Sequence, residues 1–410
     1  MFTKLEKKKM PRESVEMESA LRSARVAVRR AWAGEVHGFE AWGRYEVAPE
    51  PLIIYDLNGQ VLFYEFSVMS DERQAGSIKT SASAVIGSPV VTIEFGPRKW
   101  SRGQAIERAQ AEARKRFPKA QLSEPELVCY CYPKLGVRIF AKEKEGRRSI
   151  IVDVSDGTVL ERWGKDEREG ITAYSFYDEI AEPEREVRLR RFDLANEELK
   201  LLKRQAPEVL EERKLDKISL AKAAFIPRER FWDVIQLYSS RVLKYGPRCQ
   251  PHDCFQLYAQ QTNVYCAVAT GQMILDFYRW NFTQTAIAAA MNTDADGTTN
   301  PDQVTGYQTL SNQTLTATFD GSADWAEAKS EIDANRPLKS GIPGHARACA
   351  GWKRQNLMLA TMAPKRWLLI YDPWPWNEDL CAGGKMVWED WDAVEHTNFI
   401  YVRHRTTACA

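Results

Sequence analysis

Cys266 in the stretch Gln260-Gln261-Thr262-Asn263-Val264-Tyr265-Cys266 is followed by small and apolar residues at helical spacing, Ala269, Met273, Ile274 and Phe277. The pattern reads as loop, cysteine, buried helix. Oriented N–H groups and the positive end of the dipole at a helix start stabilise a thiolate. Gln260, six residues earlier, is placed to aim an amide N–H at a developing oxyanion, with the cysteine N–H as second donor. Gln261 is a rival one residue short. Alone, such a cysteine reads as a small core residue, so its chemistry rests on partners downstream.

Two such partners follow. His345, after Gly344, enters a run of small residues, Ala346, Ala348, Cys349, Ala350 and Gly351, with Arg347 alternating among them. This predicts a closely packed central strand with the histidine at its start. Trp367 to Tyr371 predicts a neighbouring buried strand, with Asp372 at its end and Pro373 stopping it. A carboxylate there would fix the imidazole tautomer and stabilise its charged form. Cys266 as nucleophile, His345 as base, Asp372 as orienter and Gln260 in the oxyanion hole would attack a carbonyl. His396 is a rival base, read as a surface residue at a strand start. Trp374 and Trp376 read as groove walls or core.

These residues resemble the papain-like cysteine peptidase superfamily, in particular the compact bacterial branch of bacteriocin-leader peptidases and effector-type peptidases. The resemblance runs from about residue 256 to the C-terminus. It rests on the Gln260–Cys266 spacing, the Gly344–Trp352 and Asp372–Pro375 motifs, and the final EHTNFIYVR string. It implies the four roles just given and a fold with a nucleophile helix packed on an antiparallel sheet. Ala267 departs from relatives, which often carry tryptophan or glycine there. A looser resemblance to streptopain-like zymogens rests on architecture.

The elements that must carry this site lie in a chain of 410 residues, long enough for two or three domains. Residues 52–62 (LIIYDLNGQVL) and 150–160 (IIVDVSDGTVL) each read as a hairpin around Asn58-Gly59 or Asp156-Gly157. A helical pattern precedes each: 14–32, and 101–117 with Ser101 as N-cap. ELVCYCY and GVRIFAKE supply further strands. The expectation is an α+β N-terminal region, 1–164, of duplicated helix-hairpin units, resembling PepSY-type propeptide domains through the Val152–Leu160 signature. In those families such domains inhibit or chaperone a peptidase. Residues 165–248 form a charged helical linker or pro-segment, with helices over 183–214, broken at Pro207, and over 219–240. Residues 249–410 form the peptidase domain, which holds eight of the 13 tryptophans.

Net charge is +1, which does not suggest a nucleic-acid binder. It divides as −5 from Cys249 onward and +6 before it, a difference that would favour docking of the halves. No run reaches the ~18 apolar residues of a membrane span, and the start carries no secretory signal, so the chain is cytoplasmic as given, or secreted if a leader has been removed. Cys249-x-x-His252-x-Cys254 lacks a second half-site, so no metal and no cofactor are expected. The expected partners are a peptide or protein substrate and an intramolecular prodomain. The whole reads as a self-processing proenzyme cut in the basic 222–248 stretch. The alternatives are an acyltransferase or transpeptidase using the same thioester, and a non-catalytic binding module.

Overall fold

The computed structural model describes residues 13–33, 36–144, 146–160, 172–205, 238–243, 255–355 and 365–405. It is an α+β protein. The first helix, α1 (Met17–Ala33), buries Ala20, Ala24, Val28 and Ala31 along one stripe. Five strands follow: β1 (Glu46–Val47), β2 (Leu52–Asp56), β3 (Val61–Ser70), β4 (Arg73–Ser81) and β5 (Val90–Phe95). Helix α2 (Arg102–Arg116) starts where Ser101 Oγ accepts the Gln104 N–H, and it buries Ala105, Ala109 and Ala113 at four-residue spacing. Then come β6 (Gln121–Leu122), β7 (Glu126–Cys131), β8 (Lys134–Glu143) and β9 (Gly146–Asp153). The hairpin expected over 150–160 is shorter than the sequence suggests. After the turn at Gly157, whose φ is +77°, the chain rejoins β9 only by a bridge between Val159 and Val152.

Helix α3 (Glu182–Gln205) occupies the charged linker. The expected break at Pro207 and residues 219–237 of the second expected helix lie outside the described residues, as does the Cys249/His252/Cys254 cluster. Tyr238–Val242 is strand β10, not the end of that helix: its backbone pairs along Gly351–Gln355. The remaining elements are α4 (Cys266–Phe277), α5 (Gln284–Ala290), α6 (Asn300–Leu310), β11 (Leu315–Asp320), α7 (Trp325–Asp333), β12 (Leu338–Ile342), β13 (His345–Gln355), β14 (Lys365–Asp372), β15 (Lys385–Asp390) and β16 (Asn398–His404).

Among the described residues, sixteen strands form one sheet. Its path runs β11-β16-β12-β13-β14-β15-β5-β4-β3-β2-β7-β8-β6, with β1 on β3, β10 on β13 and β9 on β8. Every named pairing is antiparallel except β2 with β7, which are parallel over two residue pairs. The sheet crosses from one half of the chain to the other at β15 and β5, where Met386, Val387, Trp388 and Glu389 face Phe95, Glu94, Ile93 and Thr92. One apolar core runs through both halves, from Ala20, Ala24, Phe66 and Ile78 to Met273, Leu369, Val387 and Trp388. The ion pairs across the junction run in both senses. Arg191 pairs with Asp392 in the expected sense, but Lys385 pairs with Glu94 in the reverse sense. Strand pairing and apolar burial close the seam.

Trp388 is fully buried at this seam, and its indole N–H donates to the His37 carbonyl at 3.2 Å. Trp388→Ala is expected to lower unfolding free energy by about 3–5 kcal/mol in urea titration. A loss below about 1 kcal/mol would mean the seam is open in solution.

Candidate active site

Cys266 is the first residue of α4, fully buried, and packs with Ala267 against Ala346 of β13. The helix is buried from Cys266 to Leu275 because it lies between the sheet and helices α5 and α6, and the run of small residues in β13 gives it room. His345 opens β13 immediately after a Pro343-Gly344 turn that pairs Ile342 with His345. Gly344 takes φ +68°, where glycine is favoured, and a Cβ there would meet Thr172 at 2.8 Å. Local turn chemistry thus puts the histidine at the strand mouth.

His345 Nε2 and Asp372 Oδ1 are 2.7 Å apart, both groups buried. The same oxygen accepts the Trp374 N–H at 2.9 Å. With Asp372 ionised, the imidazole proton is on Nε2 and the lone pair is on Nδ1, the atom required of a base. Nδ1 is buried with no hydrogen-bond partner among the described residues. Gln260 is also fully buried. Its backbone N–H donates to Pro373 O at 3.1 Å, and its carbonyl accepts from Asn377 N–H at 3.0 Å, which ties it to the Asp372 loop. The Gln284 side chain clamps the same segment, accepting from Gln261 N–H and donating to Ala259 O. Gln260 Nε2 donates one hydrogen to Thr262 O at 2.7 Å. An amide nitrogen carries two, so one remains for an oxyanion.

Burial pushes the His345 pKa down to about 4, against the raising influence of Asp372; Lys134 and Arg347 push it lower still. Burial works to raise the Asp372 pKa, but His345, Lys385 and Arg347 hold it below the ordinary carboxylate range. With His345 held mostly neutral by its burial, Lys385 and Arg347 are the cations that keep Asp372 charged. The closed site therefore holds a neutral base beside a carboxylate.

Four residues lie near this site with no role assigned to them from the sequence. Glu389 accepts Arg347 Nη1 on both oxygens, at 2.8 and 2.7 Å, and also the Tyr132 hydroxyl at 2.6 Å. Arg347 stands two residues past His345 on β13. Cys131, from the end of β7, donates its S–H to Pro343 O at 3.5 Å. Lys134 lines a cleft of about 310 Å³ with Gln260, Asn263, Trp374, Trp376 and Asp156. The rival His396 is not at the surface. It is buried, stacked on Trp391 at 4.5 Å, and its Nδ1 lies 2.9 Å from Ser340 Oγ. Trp374 is buried in the core and also lines this cleft, as does Trp376. Among the described residues no His, Cys, Asp or Glu cluster could hold a metal, and no helix is long and apolar enough to cross a membrane.

Residues 252–393, which include all four candidate residues, match the Peptidase_C39 like family. Among solved structures, the peptidase domain of Streptococcus ComA, described as a bifunctional ABC transporter in a quorum-sensing pathway, is 15% identical. That match covers 37% of this chain and 99% of that one, with a TM-score of 0.27. A double glycine motif protease from an AMS/PCAT transporter, solved with a leader peptide, is 13% identical over 37% of this chain and 91% of that one, with a TM-score of 0.25. No curated protein matches. The family match supports a cysteine peptidase in this part of the chain.

The depressed His345 pKa makes a signed prediction. The unfolded chain binds a proton at His345 below about pH 6.5, and the folded chain only below about 4. Between those values the unfolded state holds more protons, so stability falls as pH falls. Burial depresses His396 in the same sense, so the comparison is with His345→Gln. Urea titrations at pH 7 and pH 4.5 should show the wild type losing more stability than the variant, by up to about 3 kcal/mol. Equal losses would mean His345 is solvated.

Proposed function

We propose that the chain is a papain-like cysteine peptidase held latent by its own N-terminal region, with Cys266, His345 and Asp372 as triad and Gln260 in the oxyanion hole. The observation that carries this reading is the buried His345–Asp372 hydrogen bond, set on a strand packed against the helix that Cys266 begins. His345 Nδ1 takes the Cys266 thiol proton, and the thiolate attacks the scissile carbonyl. The Cys266 N–H and the spare Gln260 Nε2–H stabilise the tetrahedral oxyanion. His345 then protonates the leaving amine, and a water molecule, giving its proton back to His345, hydrolyses the thioester. Asp372 keeps the proton on Nε2 throughout.

Latency follows from burial. Cys266 and His345 are both fully buried, so a peptide reaches neither until the site opens. Opening would rehydrate the imidazole and return its pKa toward the ordinary value. That step takes up a proton between about pH 6.5 and 4, so acid favours the open form. It also permits the thiolate–imidazolium pair that the closed site disfavours. Within the basic 222–248 stretch, self-processing would fall in the part ahead of β10, 222–237, because β10 is held in the sheet at 238–242.

Intact mass over time for wild type and Cys266→Ala, at pH 5 and pH 7 with reductant, tests this. Wild type alone should shorten, and faster at pH 5. On an added peptide, Gln260→Ala should lower kcat/KM about 100- to 1,000-fold. Cleavage by Cys266→Ala at the wild-type rate would rule the reading out.

A further inference from the structure

Three residues of the N-terminal region, Cys131, Tyr132 and Lys134 in the turn between β7 and β8, lie against the site or the residues that support it. Cys131 Sγ lies against the turn that delivers His345. It is 3.5 Å from Pro343 O and 3.2 Å from where a Cβ on Gly344 would sit. Cys266 and Asp372 are among the groups acting electrostatically on its thiol. Tyr132 donates to Glu389, the carboxylate that also holds Arg347. Lys134 stands in the cleft beside Gln260 and Trp374, its charge opposing an imidazolium at His345. Cys131, Tyr132 and Lys134 are at most 3% exposed. The turn therefore occupies ground a peptide would need beside the nucleophile and oxyanion hole, and it puts a cation where catalysis requires a second one.

The rest of the N-terminal region is joined differently. Strand β5 supplies the backbone partners of β15. Ser88 Oγ donates to Asp390 at 2.9 Å, Lys385 Nζ donates to Glu94 at 3.1 Å, and Arg188 donates to the carbonyls of Ile86 and Ala393. Val387 and Trp388 are buried in a core shared with α1. Removal of this region would strip β15 of a neighbour and expose those side chains, leaving an unpaired strand edge beside Val387 and Trp388.

We propose that the Cys131–Lys134 turn alone is the inhibitory element, and that the N-terminal region stays on the peptidase after linker cleavage, as the outer half of its sheet. The active form is then a two-chain enzyme from which no propeptide departs and in which only the Cys131–Lys134 turn has moved off the site. This rests on the peptidase reading of the site but concerns how the site is closed.

Two measurements test it on the full chain. In the first, the rate of Cys266 alkylation by iodoacetamide is followed by peptide mapping in wild type, Tyr132→Phe and Lys134→Gln, with buried Cys349 as internal control for loosening of the fold. At least about tenfold faster labelling of Cys266 in either variant, with Cys349 unchanged, is expected. Wild-type rates at Cys266 in both variants, or equal acceleration at Cys349, would overturn the plug. In the second, a recognition sequence for a site-specific protease is placed within residues 206–237 and the nicked protein is sized natively. The pieces should co-elute near the 46.9 kDa of the uncut chain and separate only in denaturant. Separation under native conditions would overturn the permanent seam. Alkylation needs no substrate: a Cys266 made reactive in a variant that cleaves no peptide would support the plug while contradicting the peptidase reading.

Discussion

The backbone ladder between Val90–Phe95 and Lys385–Asp390 decides what kind of protein this is. Without it the chain would be an α+β unit tethered to a peptidase-like unit. With it, sixteen strands make one sheet and the two halves share one core. An unpaired β15 would present free N–H and C=O groups beside Val387 and Trp388, the type of edge that proteins pair or cover. The pairing also fixes where the other N-terminal strands lie. From β5 the sheet runs back through β4, β3 and β2 to β7, whose end reaches the histidine turn. The approach of Cys131 to the Pro343-Gly344 turn is a consequence of sheet geometry.

Burial shapes the chemistry of the closed site as much as its access. A cysteine–histidine ion pair needs a charged imidazole, and desolvation with Lys134 and Arg347 nearby keeps His345 neutral except in acid. Asp372 remains charged because Lys385 and Arg347 compensate for its burial. On the proposed reading, the orienting hydrogen bond is formed in advance, while the proton transfer that would arm Cys266 is held back. Arg347 serves both ends of this balance, and Glu389 fixes its guanidinium by two contacts from one nitrogen. The Arg347 Nε and Nη2 have no hydrogen-bond partner among the described residues, a strained arrangement for a buried cation.

The sequence made the candidate site readable because each residue carries a local signal. Cys266 precedes an unbroken apolar helix, His345 follows a Pro-Gly turn, and Asp372 precedes the proline that ends its strand. Each signal depends on a few neighbours, and the helix and strands form where expected. The α+β character of the N-terminal region was legible for the same reason, from Ser101 as a cap and from the Asn58-Gly59 turn. The seam was not legible, because β5 and β15 are almost three hundred residues apart and nothing local specifies which edge a strand will find. A charged residue in a strand normally reads as solvent-facing, so Arg347 and Glu389 gave no sign of pairing inside the sheet. His396 misled for a related reason: its polar neighbours suggested a surface, while Trp391 and Ser340 enclose it. Residues 238–240 read as the end of a helix in a charged context, but the free half of β13 recruits Tyr238–Val242 as a strand.

The central claim is that Cys266 is an acylatable nucleophile served by His345. The direct measurement is acid-quenched mass and peptide mapping after brief exposure to p-nitrophenyl acetate, a small activated ester. Wild type and the Tyr132→Phe/Lys134→Gln double variant would be compared with the same chains carrying His345→Ala. The account predicts an acetyl group on Cys266, more in the double variant than in wild type and absent without His345. Acetylation of exposed Cys381 alone, or of Cys266 equally with and without His345, would contradict it.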